Sequence, residues 1–117
     1  MARYRLTKTA RGDISSILRR SEEQHGRDAR IRYSALLLAA MRRVAENPEG
    51  RSTSNRGELR PGIRSFHIRH SRDESREAPV ANAVHVIFYR VSDPGIVEIV
   101  RVLHDRMEPS RHLSSQP

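Results

Sequence analysis

Arg64, Arg90 and Arg101 each sit inside a stretch of alternating apolar residues. A charged group in such a stretch either pairs with another or faces a ligand. The guanidinium is a planar fork of five donors that takes phosphate or carboxylate in two bonds. If their strands are neighbours, the three side chains form one basic patch that could grip either anion. The plainer alternative is that Arg90 or Arg101 pairs with Glu98, or extends to solvent along its own stem. A second concentration of ionisable groups, His104, Arg106, Arg111 and His112, lies in the tail. It is either a binding surface or an ordinary solvated charge run at a terminus. Histidine titrates near neutrality and can serve as acid or base. His67 and His70, three positions apart, would point to opposite faces of a strand, which is poor ligand geometry, and no metal or other cofactor is expected. No nucleophile-elbow motif supports a serine triad.

The element that must position these groups is Val84 to Leu103, read as two long strands folded back on each other through Ser92-Asp93-Pro94-Gly95. Pro94 pre-sets its φ and Gly95 accepts the positive φ of a type II turn. Val84, Val86 and Phe88 alternate with His85, Ile87 and Tyr89, and Ile96, Val100 and Val102 with Val97, Ile99 and Leu103, so both faces are apolar and the strands are expected to be central.

Upstream, Tyr4-Arg5-Leu6 predicts a first strand, and Thr7 or Thr9 an N-cap. Ile14, Ile17, Leu18 and Ser21 recur at helical spacing between about Ala10 and Gln24, with Gly26 as a suitable stop. Tyr33, Leu36, Leu37, Ala40, Met41 and Val44 mark the buried stripe of a second helix ended by Asn47-Pro48; Leu38 lies off it. The two helices predict an αα-hairpin laid on one face of the sheet. Tyr4, Tyr33 and Tyr89, set among apolar stripes, are expected in the core. Glu49 to Gly57 reads as a mobile polar loop, Ile63 to Arg69 as a strand after the turn at Pro61-Gly62, and His70 to Ala83 as a long solvated loop. The order is β-α-α-β-β-β in an α+β fold: an N-terminal strand and αα-hairpin packed on a small antiparallel β-sheet. One domain over 1–113 and a frayed tail over 114–117 are expected.

With 22 Lys+Arg against 14 Asp+Glu the formal net charge is +8, and Lys8 is the only lysine. Such a field favours nucleic acid, an acidic protein segment or an anionic membrane, although arginine-rich composition can also reflect coding bias. The absence of cysteine excludes a disulfide framework. No apolar leader precedes the first strand, and the longest apolar run, Ala35 to Met41, is too short to span a bilayer, so a cytoplasmic, unanchored protein is expected.

The order and spacing of Leu59-Arg60-Pro61-Gly62-Ile63-Arg64-Ser65, His85-Val86-Ile87-Phe88-Tyr89-Arg90-Val91, Glu98-Ile99-Val100-Arg101-Val102-Leu103-His104 and Arg106-Met107-Glu108-Pro109-Ser110-Arg111-His112-Leu113 resemble the ParE branch of the RelE/ParE toxin superfamily. The 70–83 loop is longer than that resemblance predicts. The resemblance implies the toxin of a type II toxin-antitoxin system that poisons DNA gyrase, is neutralised by a ParD-like antitoxin in a hetero-oligomer, and meets nucleic acid only through those partners. On that basis Arg106, Arg111 and His112 are candidate target contacts. Arg64, Arg90, Arg101 and Leu38 are candidate antitoxin contacts. The rival implied by the wider superfamily is a RelE-like ribosome-dependent mRNA endoribonuclease. It needs an acid, a base and cations around the scissile phosphate. Arg64, Arg90, His104 and His112 would have to supply them, without the C-terminal tyrosine usual in such chains, since no tyrosine follows Tyr89.

Overall fold

The computed structural model describes residues 3–75 and 80–113. Strand β1 (Arg3–Leu6) leads into helices α1 (Lys8–His25) and α2 (Arg27–Glu46). Strands β2 (Thr53–Asn55) and β3 (Arg64–His67), a 3-10 turn over Ile68–Glu74, strands β4 (His85–Asp93) and β5 (Ile96–His104), and the short helix α3 (Ser110–Leu113) follow. The five strands form one sheet in the order β1-β5-β4-β3-β2, with β1 parallel to β5 and the other pairs antiparallel. The expected α+β arrangement holds.

Thr7 starts α1. Its hydroxyl oxygen accepts from the Ala10 amide at 3.0 Å and the same hydroxyl donates to the Val100 carbonyl at 3.1 Å, so one side chain caps the helix and fastens it to β5. Between the helices the backbone reverses at Gly26, whose φ of +92° excludes a β-carbon without strain. The α2 stripe is buried from Tyr33 to Val44 as its spacing requires. It packs with Phe66, Ile87, Tyr89, Val97, Ile99 and Val102 on one face of the sheet. Tyr4, Leu6, Ile14, Ile17 and Leu18 close that layer.

The opposite face is covered too, by chain that carries little regular structure. Leu59 and Ile63 from the loop before β3, and Leu113 from α3, pack on Phe88, Val100 and Leu103. That cover explains why β4 and β5 are apolar on both sides. Gly95 turns the hairpin at φ +78°.

Four expectations are corrected. A β-bulge sets both Val100 and Arg101 against Phe88, so the faces of β5 exchange there: Val102 joins Val97 and Ile99 beneath the helices, and Leu103 joins Val100 on the far side. The polar segment at 49–57 contains β2, an edge strand whose Thr-Ser-Asn sequence carries no apolar signal and is held by its ladder to β3. The strand expected over Ile63 to Arg69 ends at His67, and the long loop beyond begins with the 3-10 turn, in which Ile68 and Ser71 are buried. The Arg43 guanidinium clamps this turn to α2, donating to the His70 carbonyl at 2.8 Å while lying 5.2 Å from the Phe66 ring centroid. The expected order β-α-α-β-β-β gains a final short helix, α3, which Pro109 opens: its carbonyl accepts from the His112 and Leu113 amides. The expected frayed tail at 114–117 lies outside the described residues.

Candidate functional site

The three strand arginines do not share one patch. Arg64 stands opposite Tyr89, on the helix-covered face. Its Nε donates to the Pro48 carbonyl at 3.1 Å and its Nη2 to the Thr53 hydroxyl at 2.8 Å, while the Tyr89 hydroxyl donates to the same Pro48 carbonyl. Arg64 therefore staples the end of α2 to the edge strand. Arg90 stands opposite Glu98 on the other face; its Nε donates to Glu98 Oε1 at 2.8 Å, and Arg5 Nε reaches Glu98 Oε2 at 3.3 Å.

Arg101, brought toward α1 by the bulge, meets Asp13. Nε and Nη2 donate to the two carboxylate oxygens at 2.8 and 3.0 Å, and Nη1 donates to the His112 carbonyl at 3.3 Å. The same carboxylate accepts the Val102 amide at 2.9 Å, at a point on β5 beyond the reach of β1. One aspartate thus covers the strand edge and neutralises the arginine that anchors the tail. Of the two alternatives open for these arginines, pairing is what the fold uses at Arg90 and Arg101, although Arg101 pairs with Asp13 rather than Glu98.

Histidines gather at the other end of the hairpin. His85 and His104 are cross-strand partners, with ring centroids 5.5 Å apart in an edge-to-face arrangement. The Tyr33 hydroxyl accepts the Val84 amide at 3.2 Å and donates to His85 Nδ1 at 2.5 Å. Burial first, and then the neighbouring His104, push the His85 pKa down to about 4, so this imidazole is neutral at pH 7 and suited to accept from tyrosine. Burial pushes the Tyr33 hydroxyl up to about 12. His67 accepts the Arg69 amide through Nδ1 and donates through Nε2 to Asp105 at 3.0 Å. That bond holds the Asp105 carboxyl below the usual carboxylate range. His104 Nδ1 accepts the Arg106 amide at 3.1 Å. Both nitrogens of His67 are thus engaged, one nitrogen of His85 and one of His104 are engaged as acceptors, and all three rings orient chain segments. Among the described residues no group of three or more metal-ligating side chains converges.

Arg64, Arg90 and His104 are therefore dispersed. From Arg90 to His85, the cross-strand partner of His104, is five residues of β4, or about 17 Å at roughly 3.3 Å per residue. His112 lies in α3, where its backbone carbonyl is the group that Arg101 holds; Arg106 and Arg111 are exposed on either side of Pro109. On the helical layer, Leu38 and Ile31 are exposed and line a shallow groove with Ser34, Ala35, Arg27, Arg30 and Glu22. Arg30 crosses to Glu22 on α1 at 2.9 Å.

Asp13, His67, His85 and Asp105 carry much of this polar framework and went unassigned in the sequence. The pairing of His85 with His104 could have been found by counting back along the hairpin from its Pro-Gly turn. Asp13 could not, because nothing local marks a residue that meets its partner 88 positions later.

The family model described as ParE toxin of type II toxin-antitoxin system, parDE, matches residues 4–109. Toxin ParE1 of Mycobacterium tuberculosis (strain ATCC 25618 / H37Rv) is 32% identical over 113 residues, which cover 96% of this chain and 98% of that protein. Toxin ParE1 of Caulobacter vibrioides is 35% identical over 115 residues, 97% of this chain and 99% of the relative. A solved structure described as the chromosomal ParDE TA system from P. aeruginosa superposes with a TM-score of 0.64 over 89% of this chain and 96% of that one; at 14% identity the likeness is one of fold.

Proposed function

The chain belongs to the ParE toxin family of type II toxin-antitoxin systems, and from that premise we propose that it acts in the cytoplasm as a non-enzymatic poison of DNA gyrase, held inactive by a ParD-like antitoxin. The observation that carries the choice between targets is the dispersal of the would-be nuclease groups. Acid, base and phosphate-holding cations must converge within hydrogen-bond reach of one phosphodiester. Arg90 and His104 stand about 17 Å apart along the hairpin, and Arg64 is on the opposite face from Arg90. A poison that works by binding needs no such convergence.

The target-facing groups in this proposal are Arg106, Arg111 and the His112 ring. They stand on a segment made rigid by burial of Leu113 and by the Arg101 bond to the His112 carbonyl. The antitoxin would lay an amphipathic helix along α2, its apolar stripe against Ile31 and Leu38 and an acidic residue near Arg27 or Arg30, forming a hetero-oligomer. Arg90, half-exposed, remains a candidate for a further antitoxin carboxylate. Arg64 and Arg101 serve that interface only indirectly, through the segments they hold. No helix among the described residues is long and apolar enough to cross a membrane.

The test is a gyrase supercoiling and cleavage assay beside ribosome-bound mRNA cleavage, using one protein preparation. Accumulation of cleaved DNA with intact mRNA is expected. Cleaved mRNA with unaffected gyrase would overturn the proposal in favour of the endoribonuclease.

A further inference from the structure

The uncovered corner of the sheet, on the face away from the helices, has a layered charge arrangement. Glu98 lies low, its side chain 14% exposed, and the guanidinium groups of Arg5 and Arg90 lie above it, 51% and 44% exposed. Arg5 also donates to the Ser92 hydroxyl at 3.0 Å. Arg3 precedes Arg5 by two residues on β1 and shares its face. Further along that face Arg56, paired with Glu58 at 2.8 Å, lies 5.8 Å from the centroid of the buried Phe88 ring.

Among the described side chains, Arg3, Arg5, Arg56 and Arg90 thus share this face with the carboxylates of Glu58 and Glu98, and the more buried carboxylate works from below. Glu98 holds two forks outward in fixed positions, which reduces the side-chain entropy lost when an anion binds. Among the described residues the face offers no apolar anchor comparable to the Ile31 and Leu38 groove, since Phe88, Val100 and Leu103 are already covered. Among the described residues it also has no aromatic platform, because Phe88 lies buried with the Arg56 guanidinium beside its ring. A peptide that folds on binding requires the first, and single-stranded nucleic acid the second. A regular array of phosphates requires neither. We infer that this arginine-covered corner of the sheet is a docking surface for the phosphate backbone of duplex nucleic acid, bound without regard to sequence.

The inference concerns the toxin's own contact with a duplex and is testable without gyrase, so it stands or falls separately from the target proposed above. If Arg3, Arg5 and Arg90 each neutralise one phosphate, log K should fall with log salt at a slope of about −2.7, or about 40-fold between 50 and 200 mM. The measurement is fluorescence anisotropy of a labelled 20-base-pair DNA duplex titrated with the full chain, repeated with a single strand and with a poly-glutamate peptide as competitor. Arg90→Gln and Arg3→Gln should each flatten the slope by about one unit, whereas Arg19→Gln, an equal charge change on the exposed side of α1, should leave it within about 0.3 of the parent. Thermal melts of each variant establish that it folds. The inference is overturned if no duplex binding is seen at 50 mM salt, if Arg19→Gln weakens binding as much as Arg90→Gln, if the single strand binds more tightly, or if poly-glutamate displaces the duplex at equal charge.

Discussion

Replacing Asp13 with Ala should be the most damaging single change to a polar residue among those described. Its carboxylate accepts three hydrogen bonds, two from Arg101 and one from the Val102 amide, and both charged side chains are largely removed from solvent, 14% exposed for Asp13 and 21% for Arg101. Alanine leaves a half-buried guanidinium without its counterion and a strand-edge amide without its acceptor. Breaking a fully buried pair costs about 3–5 kcal/mol and orphaning a buried amide about 1–3, but these groups keep some contact with water and the terms overlap, so about 2–4 kcal/mol is expected in total. With an unfolding entropy of roughly 2.1 cal/mol/K per residue, that lowers the melting temperature by about 8–16 °C. Asp13→Asn keeps one acceptor oxygen and should lose about half as much. Urea unfolding of the parent, Asp13→Ala, Arg101→Met and the double variant gives the coupling directly, expected at about 1–3 kcal/mol. A loss below about 0.5 kcal/mol for Asp13→Ala, or additive single changes, would refute the role given to this pair.

Stability should also fall with acid through His85. Its ordinary pKa of 6.5 drops to about 4 in the fold, so its contribution is complete above pH 6.5 and disappears as pH falls towards 4. About 1–2 kcal/mol should be lost between pH 7 and 5 after allowing for residual solvent contact, and His85→Phe should flatten the urea midpoint over that range. Leu38→Glu, on the exposed rim of the α2 groove, should weaken antitoxin binding at least about tenfold by calorimetry while leaving growth arrest intact; unchanged affinity would move the antitoxin elsewhere. Combined replacement of Arg106, Arg111 and His112 with Ala should abolish growth arrest and spare antitoxin binding, because the Arg101 contact in this segment is to backbone and survives the change. Growth arrest at the parent level would remove the tail from the target surface.

The legible parts of the fold were those written in local periodicity. The α2 stripe gave six buried positions, the Pro-Gly turn gave the hairpin, and two apolar faces gave its central place. Three kinds of feature escaped. Strand β2 has an exposed polar sequence and forms because β3 offers it a ladder. The bulge at Val100 and Arg101 inverts the expected faces of Val102 and Leu103 because one extra residue shifts a period of two. The cover on the second face depends on Leu59, Ile63 and Leu113, apolar residues scattered through segments whose local sequences suggest only loop and tail. Of the candidate site, the residues were legible but their partners were not. The sequence suggests that Arg101 pairs, and only the fold brings Asp13 to it.

The same distinction bears on why the chain uses arginine almost to the exclusion of lysine. Coding bias could raise the count, yet it would not select geometry. Arg64 bonds a carbonyl after α2 and a hydroxyl on β2 through different nitrogens of one plane. Arg101 takes both oxygens of Asp13 and still reaches the carbonyl of His112. Arg43 donates to the His70 carbonyl while lying beside Phe66. An ammonium is a compact donor at the end of a flexible stem and cannot hold two segments in these relative orientations. At three places, then, a guanidinium does the joining that a longer apolar core would do in a larger domain. These joining arginines are distinct from those at exposed positions, among them Arg3, Arg90, Arg106 and Arg111. A uniform Arg→Lys exchange, which keeps the net charge of +8, would therefore first weaken the joints rather than the outward-facing field.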